Sequence, residues 1–76
     1  MSPRLPRITP AQLLRALHHD GWYEHAQEGS HLTLKHPTKT GRLVVPIHAG
    51  KVLKPGLLAR ILDDAKLTAD ELRRLL

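Results

Sequence analysis

The sequence predicts an α+β domain with the order α-β-β-β-α-α, in which helices cover one face of a three-stranded antiparallel sheet. Apolar residues recur at helical spacing in two segments, and apolar and polar residues alternate in the stretch between them. Threonine capping boxes and glycine-containing turns separate these segments. A chain of 76 residues has room for one domain, which we expect over residues 8–76 after a flexible basic arm at residues 1–7.

The first helix is predicted to begin at Pro10. Thr9 is placed to cap it, Gln12 completes a capping box, and proline suits the first helical position. Gly21 provides the natural C-terminal stop. The apolar face comprises Leu13, Leu14 and Leu17.

Three strands are predicted over residues 22–27, 30–36 and 42–47. A tight turn at residues 28–29 joins the first two, and a turn at residues 37–41 joins the second to the third. The three segments therefore form an antiparallel meander.

The second predicted strand is amphipathic. Leu32 and Leu34 share one face, and His31, Thr33 and Lys35 share the other. The leucines are expected under the helices, which leaves the histidine face open to solvent.

Two helices complete the chain. Pro55 begins the second helix, and Thr68 with Glu71 forms a capping box for a short third helix that runs to Leu76. The apolar face of the second helix comprises Leu58, Ile61, Leu62 and Ala65.

Charge is concentrated in the middle of the chain. The formal net charge is +5, and residues 28–56 hold five lysines or arginines against one acidic residue. Such a surface favours a polyanionic partner, most commonly nucleic acid, although a solvated basic surface is the alternative. The candidate phosphate contacts are Lys35, Lys39, Arg42, Lys51 and Lys54.

Several function classes are disfavoured by composition. The chain has no cysteine, so it has no disulfide framework, thiol nucleophile or cysteine zinc site. No apolar run is long enough to span a membrane, and the N-terminus lacks the apolar region of a signal peptide. We therefore expect a cytoplasmic protein that does not bind membranes.

The six histidines do not have the spacing of a metal site. His18 and His19 are adjacent on a helix, and His31 and His36 have opposite parity along a strand. We therefore expect no metal ion.

Acid–base chemistry at His31 is a second interpretation of the histidines. An imidazole on a basic face exchanges protons near neutral pH, and neighbouring cations hold a phosphodiester. Gly29 and Ser30 precede it in a turn whose backbone N–H groups are available to a phosphate. With a turn at residues 28–29, Ala26 lies opposite His31 and Glu24 orients the imidazole diagonally. The alternative is a solvated surface histidine.

An ordered set of short motifs resembles the HicA family of small toxins from type II toxin–antitoxin pairs. The motifs are Asp20-Gly21-Trp22-Tyr23, Gly29-Ser30-His31, Lys35-His36-Pro37, Gly41, Val45-Pro46-Ile47-His48, Lys54-Pro55-Gly56, Ile61-Leu62 and Ala65-Lys66-Leu67-Thr68. The resemblance covers about residues 8–76.

This resemblance implies a fold like that of double-stranded-RNA-binding domains and a ribosome-independent mRNA endoribonuclease without a metal or organic cofactor. The catalytic histidine of the family falls on His31. Gly29, Ser30 and His36 occupy family positions and join the five cations as candidate RNA contacts, although the parity of His36 favours a core-facing or turn-capping role. The implied partners are mRNA and a HicB-type antitoxin that covers the active site in a hetero-oligomer.

The sequence departs from the family pattern in the second helix. Leu57 and Ala59 stand where the family usually has a threonine and an arginine, although Arg60 follows one position later. Lys66 replaces the glycine expected after that helix. A non-catalytic RNA-binding module of the same fold, or a decayed toxin that only binds its antitoxin, therefore stays open as an alternative.

Overall fold

The computed structural model describes residues 4–48 and 50–76. The predicted element order and α+β fold class are confirmed, with an antiparallel sheet in the order β1-β2-β3. Residues 1–3 of the predicted arm lie outside the described residues, so its flexibility stays a prediction. The elements are α1 (Pro10–His19), β1 (Tyr23–Glu28), β2 (His31–Lys35), β3 (Leu43–Pro46), α2 (Pro55–Ala65) and α3 (Ala69–Leu75).

Both predicted capping boxes are present. The Thr9 hydroxyl accepts from the Gln12 backbone N–H, and the Gln12 side chain accepts from the Thr9 backbone N–H at 2.9 Å. Thr68 and Glu71 repeat this arrangement at the start of α3. The Thr68 backbone N–H and then its hydroxyl stabilise the charged form of Glu71, which lowers the pKa of that carboxyl below 4.5.

Helix α2 ends at Ala65, and Lys66 follows it at the position where the sequence pattern predicted glycine. Lys66 adopts the left-handed conformation with φ of 56°. The Leu67 N–H then donates to the Leu62 carbonyl oxygen at 2.9 Å, which closes the helix in a Schellman arrangement. The helix therefore does not continue past Lys66, although the left-handed conformation is sterically unfavourable for lysine.

The core lies between the helices and the inner face of β2 and β3. All four predicted core positions of α2 are buried, and Leu13 and Leu17 of α1 are fully buried while Leu14 is partly buried. Trp22, which precedes β1, is also buried. The inner sheet face contributes Leu32, Leu34, Leu43 and Val45.

Strand β1 is not covered by the helices. All six of its residues are exposed. The helices therefore cover β2 and β3, and β1 extends beyond them as an edge strand with a bulge at His25 and charged residues at Glu24 and Glu28. Charges and bulges of this kind protect an exposed edge from pairing with other chains.

Candidate functional site

His31 is the first residue of β2 and follows a tight turn. Gly29 has a positive φ of 57°, whereas φ of Ser30 is not positive. A positive φ at the first central residue alone is the pattern of a type II′ hairpin turn. Nothing lies within 4 Å of a side chain added at Gly29, so the glycine is needed for its backbone conformation alone. The turn holds an exposed imidazole at the start of the strand.

The strand register corrects the predicted partner of His31. The two central turn residues are Gly29 and Ser30, so Glu28 and not Ala26 lies directly opposite His31. The Glu24 prediction is wrong, because the bulge after it shifts the register and its carboxylate lies 3.7 Å from His18 Nε2. The turn predicted at residues 28–29 therefore lies one residue too early in the chain.

Two concave surfaces meet at His31. A cleft of about 430 Å³ lies between β3 and α2, and a second hollow of about 370 Å³ extends over the outer sheet face towards β1. His31, Arg42 and Val44 line both of them. The cleft is completed by Pro46, Leu57, Arg60, Ile61 and Asp64, and the hollow by Ala26, Glu28 and Thr33.

The cleft combines an imidazole with two guanidinium groups. Arg42 immediately precedes β3, and Arg60 and Asp64 lie one turn apart on α2. Guanidinium groups bind phosphate through paired hydrogen bonds, and an imidazole transfers protons near neutral pH. The arrangement is therefore suited to binding a phosphodiester next to a general acid or base.

Three of the predicted phosphate contacts lie away from the cleft. Lys35 shares the open face with His31 but ends β2, opposite Tyr23. Lys51 and Lys54 are exposed in the segment that leads into α2. None of these three lysines lines the cleft, so Arg42 is the predicted cation that the structure brings together with His31.

Lys39 connects the ends of two helices. Its ammonium group donates to Asp20 Oδ2 at 2.7 Å and to the Ala65 carbonyl oxygen at 2.9 Å. The Lys39 and Asp20 side chains are only 25% and 21% exposed. The structure does not bring Lys39 together with His31, and its charge is used to join α1 to the C-terminus of α2.

His36 is held by backbone groups at both ring nitrogens. Nδ1 accepts from the Thr38 and Lys39 backbone N–H groups, both at 3.1 Å. Nε2 therefore carries the proton and donates to the Asp20 carbonyl oxygen at 2.6 Å. The structure thus gives His36 the turn-capping position that its parity favoured, away from the His31 cleft.

Gly21 is required by the position of His36. A side-chain carbon at Gly21 would lie 2.7 Å from His36 Nε2, and the φ of Gly21 is 105°. Both the space and the backbone conformation therefore demand glycine. Gly21 and His36 therefore belong to two recognised motifs that lie outside the cleft and support the turns of the fold.

Sequence reasoning missed the contributions of Glu28, Asp64 and the apolar cleft walls. The spacing of the apolar residues identified the buried face of α2, and Arg60 and Asp64 fall outside that face. The sequence did offer an indication of Arg60, because Arg60 directly follows Ala59, where the family pattern has an arginine. The packing of α2 beside β3 was needed to show that Arg60 lines the same cleft as His31.

Within residues 4–48 and 50–76, no group of three or more His, Asp or Glu side chains is arranged to hold a metal ion. In the same residues, no helix has the length and apolar character needed to cross a bilayer.

A protein-family comparison gives one match to this chain. The family described as HicA toxin of bacterial toxin-antitoxin matches residues 10–67. No curated protein matches the chain significantly. The matched segment begins with α1, includes the three strands, His31 and α2, and ends before α3.

Proposed function

The chain belongs to the HicA toxin family of bacterial toxin–antitoxin systems, and from this premise we propose that it is an mRNA endoribonuclease with His31 as its acid–base group. The observation that supports this proposal most strongly is the shared cleft of His31, Arg42 and Arg60. It joins a proton-transfer group to two permanent cations at the surface of a basic chain. In this proposal the toxin acts in the cytoplasm on mRNA, without the ribosome and without a metal or organic cofactor.

In the proposed reaction, neutral His31 removes a proton from the attacking hydroxyl. That hydroxyl belongs to the ribose 2′ position or to a water molecule, and its oxygen attacks the phosphorus of the scissile phosphodiester. The bond to the ribose 5′ oxygen breaks, the leaving oxygen takes up a proton from water, and protonated His31 returns its proton to the solvent. Attack by the 2′ hydroxyl leaves a cyclic phosphate, whereas attack by water leaves a phosphate monoester.

Arg42 and Arg60 stabilise the negative charge that develops on the phosphoryl oxygens. A guanidinium group remains charged throughout the physiological pH range and donates to two oxygens at once. In this scheme Arg60 supplies the guanidinium group that the family usually has one position earlier, where this chain has Ala59. The backbone N–H groups of the Gly29–Ser30 turn are a second candidate contact for the phosphate.

The three exposed predicted lysine contacts outside the cleft extend the proposal to the flanking RNA. Lys35, Lys51 and Lys54 provide charge for neighbouring phosphates, and such contacts make affinity fall steeply as salt is added. Lys39 and His36 are not RNA contacts in this proposal, because their polar groups are used within the fold to support the turn after β2. A HicB-type antitoxin is the proposed partner, and it would block the reaction by covering the His31 cleft.

The proposal is tested by inducing the chain in bacterial cells and measuring growth and mRNA half-lives. The wild type should arrest growth and shorten the half-lives of several mRNAs. His31→Ala should do neither while accumulating as folded protein, because an exposed imidazole contributes little to packing. His25→Ala is the matched control, since His25 is also an exposed strand histidine but lies outside both concave surfaces.

Three results would count against this proposal. Growth arrest by His31→Ala at wild-type strength would remove the imidazole from the mechanism. Stable mRNA during arrest by the wild type would exclude RNA cleavage and favour a toxin with another target. Folded wild-type protein that causes neither effect would favour the non-catalytic module or the decayed toxin.

A further inference from the structure

We propose that the cleft between β3 and α2 binds an unpaired guanine of the RNA, and that Asp64 recognises the Watson–Crick edge of that base. The inference rests on the proposed function, because it specifies the substrate of the same site. It follows from the shape of the cleft, from the chemistry of its walls and from the presence of a carboxylate among its cations.

The cleft has the size and the walls of a pocket for a flat organic group. Its volume of about 430 Å³ lies within the range of about 300–1,000 Å³ that is typical of small-molecule sites. Apolar side chains line it from both elements, with Val44 and Pro46 on β3 and Leu57 and Ile61 on α2. Phosphate contacts do not require apolar walls, whereas the face of a nucleobase packs well against them.

Val44 is the most informative of these apolar residues. It is 44% exposed on the edge strand β3, and it lines the cleft with His31 and Arg42. An exposed β-branched side chain offers a nucleobase an apolar surface, next to the guanidinium group of Arg42 that holds the phosphate in the proposed reaction. A base seated here would hold its own phosphate near the imidazole.

Asp64 has no evident role as a phosphate contact, because its negative charge repels phosphate. Among the described residues it makes no salt bridge, although Arg60 lies one turn away on the same helix. Its exposed carboxylate therefore presents two acceptor oxygens to a ligand of the cleft. An RNA group that satisfies it must donate hydrogen bonds.

Guanine meets this requirement better than the other three bases. Its N1–H and N2 amino group are neighbouring donors on one edge and match the two oxygens of a carboxylate. Adenine and cytosine offer only one amino group on that edge, and uracil offers only one N–H. Because duplex pairing hides the Watson–Crick edge, the recognised guanine must lie in a single-stranded segment.

The test measures equilibrium binding in a chain that carries His31→Ala, so that the RNA stays intact. The probes are short uridine oligomers with one central guanosine, inosine or adenosine, labelled for fluorescence anisotropy. Inosine removes only the N2 amino group of guanine. We expect the guanosine oligomer to bind roughly 5- to 150-fold more tightly than the adenosine oligomer, as is typical of a bidentate base contact. Inosine should fall between them.

Asp64→Ala should remove this preference, and Asp63→Ala is the matched control. Both aspartates are exposed and adjacent on α2, but Asp63 does not line the cleft. Each substitution changes the net charge equally, so a general electrostatic effect would be the same in both variants. A preference for guanosine that is lost in Asp64→Ala and retained in Asp63→Ala supports the proposal.

Equal binding of the three oligomers, or a guanosine preference that survives Asp64→Ala, would overturn it. Cleavage assays with the wild-type imidazole separate this failure from failure of the proposed function. RNA cleavage without base preference would retain the ribonuclease and reject the guanine pocket. Guanosine preference in a chain that never cleaves RNA would retain the pocket and reject the ribonuclease.

Discussion

Replacing Lys39 by methionine should destabilise the fold by about 2–3 kcal/mol. The substitution keeps most of the aliphatic stem but removes two hydrogen bonds from a charged donor, to Asp20 and to the Ala65 carbonyl oxygen. Bonds to charged groups contribute about 1.5–3 kcal/mol each. The lower end applies here, because Asp20 is 21% exposed and also accepts from the Trp22 indole N–H at 3.2 Å.

The assay is urea unfolding followed by circular dichroism, with Lys35→Met as the matched control. Lys35 is an exposed lysine nearby on β2, so its replacement should change the free energy of unfolding by no more than about 0.5 kcal/mol. For a domain of this size, the loss in Lys39→Met corresponds to a decrease in Tm of roughly 8–24 °C. Well below its Tm, Lys39→Met should bind RNA as the wild type does, whereas Arg42→Met should bind it more weakly.

A Lys39→Met variant as stable as the wild type would refute the interpretation of Lys39 as a structural link. Equal losses in Lys39→Met and Lys35→Met would also refute it, since they would point to a general effect of removing surface charge. Weaker RNA binding by a fully folded Lys39→Met would restore Lys39 to the RNA-contacting set.

Three further substitutions test other parts of the fold. Lys66→Gly should stabilise the chain by about 0.5–1 kcal/mol, because glycine adopts the left-handed conformation without steric cost; a lower urea midpoint would contradict this. The charged form of Glu71 contributes stability above its ordinary pKa of 4.5 that is lost as the pH falls through its lowered folded value. The stability difference between the wild type and Glu71→Gln should therefore shrink below pH 4.5, and a constant difference across that range would argue against this carboxylate. Leu62→Ala should cost about 2–5 kcal/mol as a buried truncation, and a loss well under 1 kcal/mol would contradict the packing of α2.

The fold could be predicted from the sequence because the patterns that specify its helices and strands are local. Thr9 and Thr68 start helices through side chains three residues away, and the alternation around Leu32 and Leu34 defines both faces of β2. Each of these patterns depends on neighbouring residues alone. Segments of this kind specify helices and strands before any tertiary contact is known.

The strand register was harder to predict because one residue changes every partner. Both Glu28-Gly29 and Gly29-Ser30 are plausible turn centres, and the positive φ of Gly29 satisfies either one. The bulge at His25 then shifts the remaining pairs by one more residue. The turn position thus places Glu28, rather than Ala26, opposite His31, and the bulge leaves Glu24 paired with Leu34.

The roles of Lys39 and Asp64 could not be read from the sequence, because both depend on contacts between distant elements. In the sequence Lys39 resembles any solvent-exposed lysine, yet its ammonium group binds Asp20 and the Ala65 carbonyl oxygen, 19 and 26 residues away. Asp64 lies on the polar side of α2, and only the packing of that helix beside β3 brings it to the His31 cleft. The recognised motifs thus contain both site residues and residues that support the turns around the site.

The most direct test of His31 uses purified protein, a labelled mRNA and EDTA. The wild type and His25→Ala should cleave the RNA at the same positions, and His31→Ala should not cleave it, although circular dichroism shows all three to be folded. Cleavage by folded His31→Ala at the wild-type rate would contradict the central claim. Absence of cleavage in all three, with salt-sensitive RNA binding retained, would also contradict it and leave a toxin-family chain that binds RNA without cutting it.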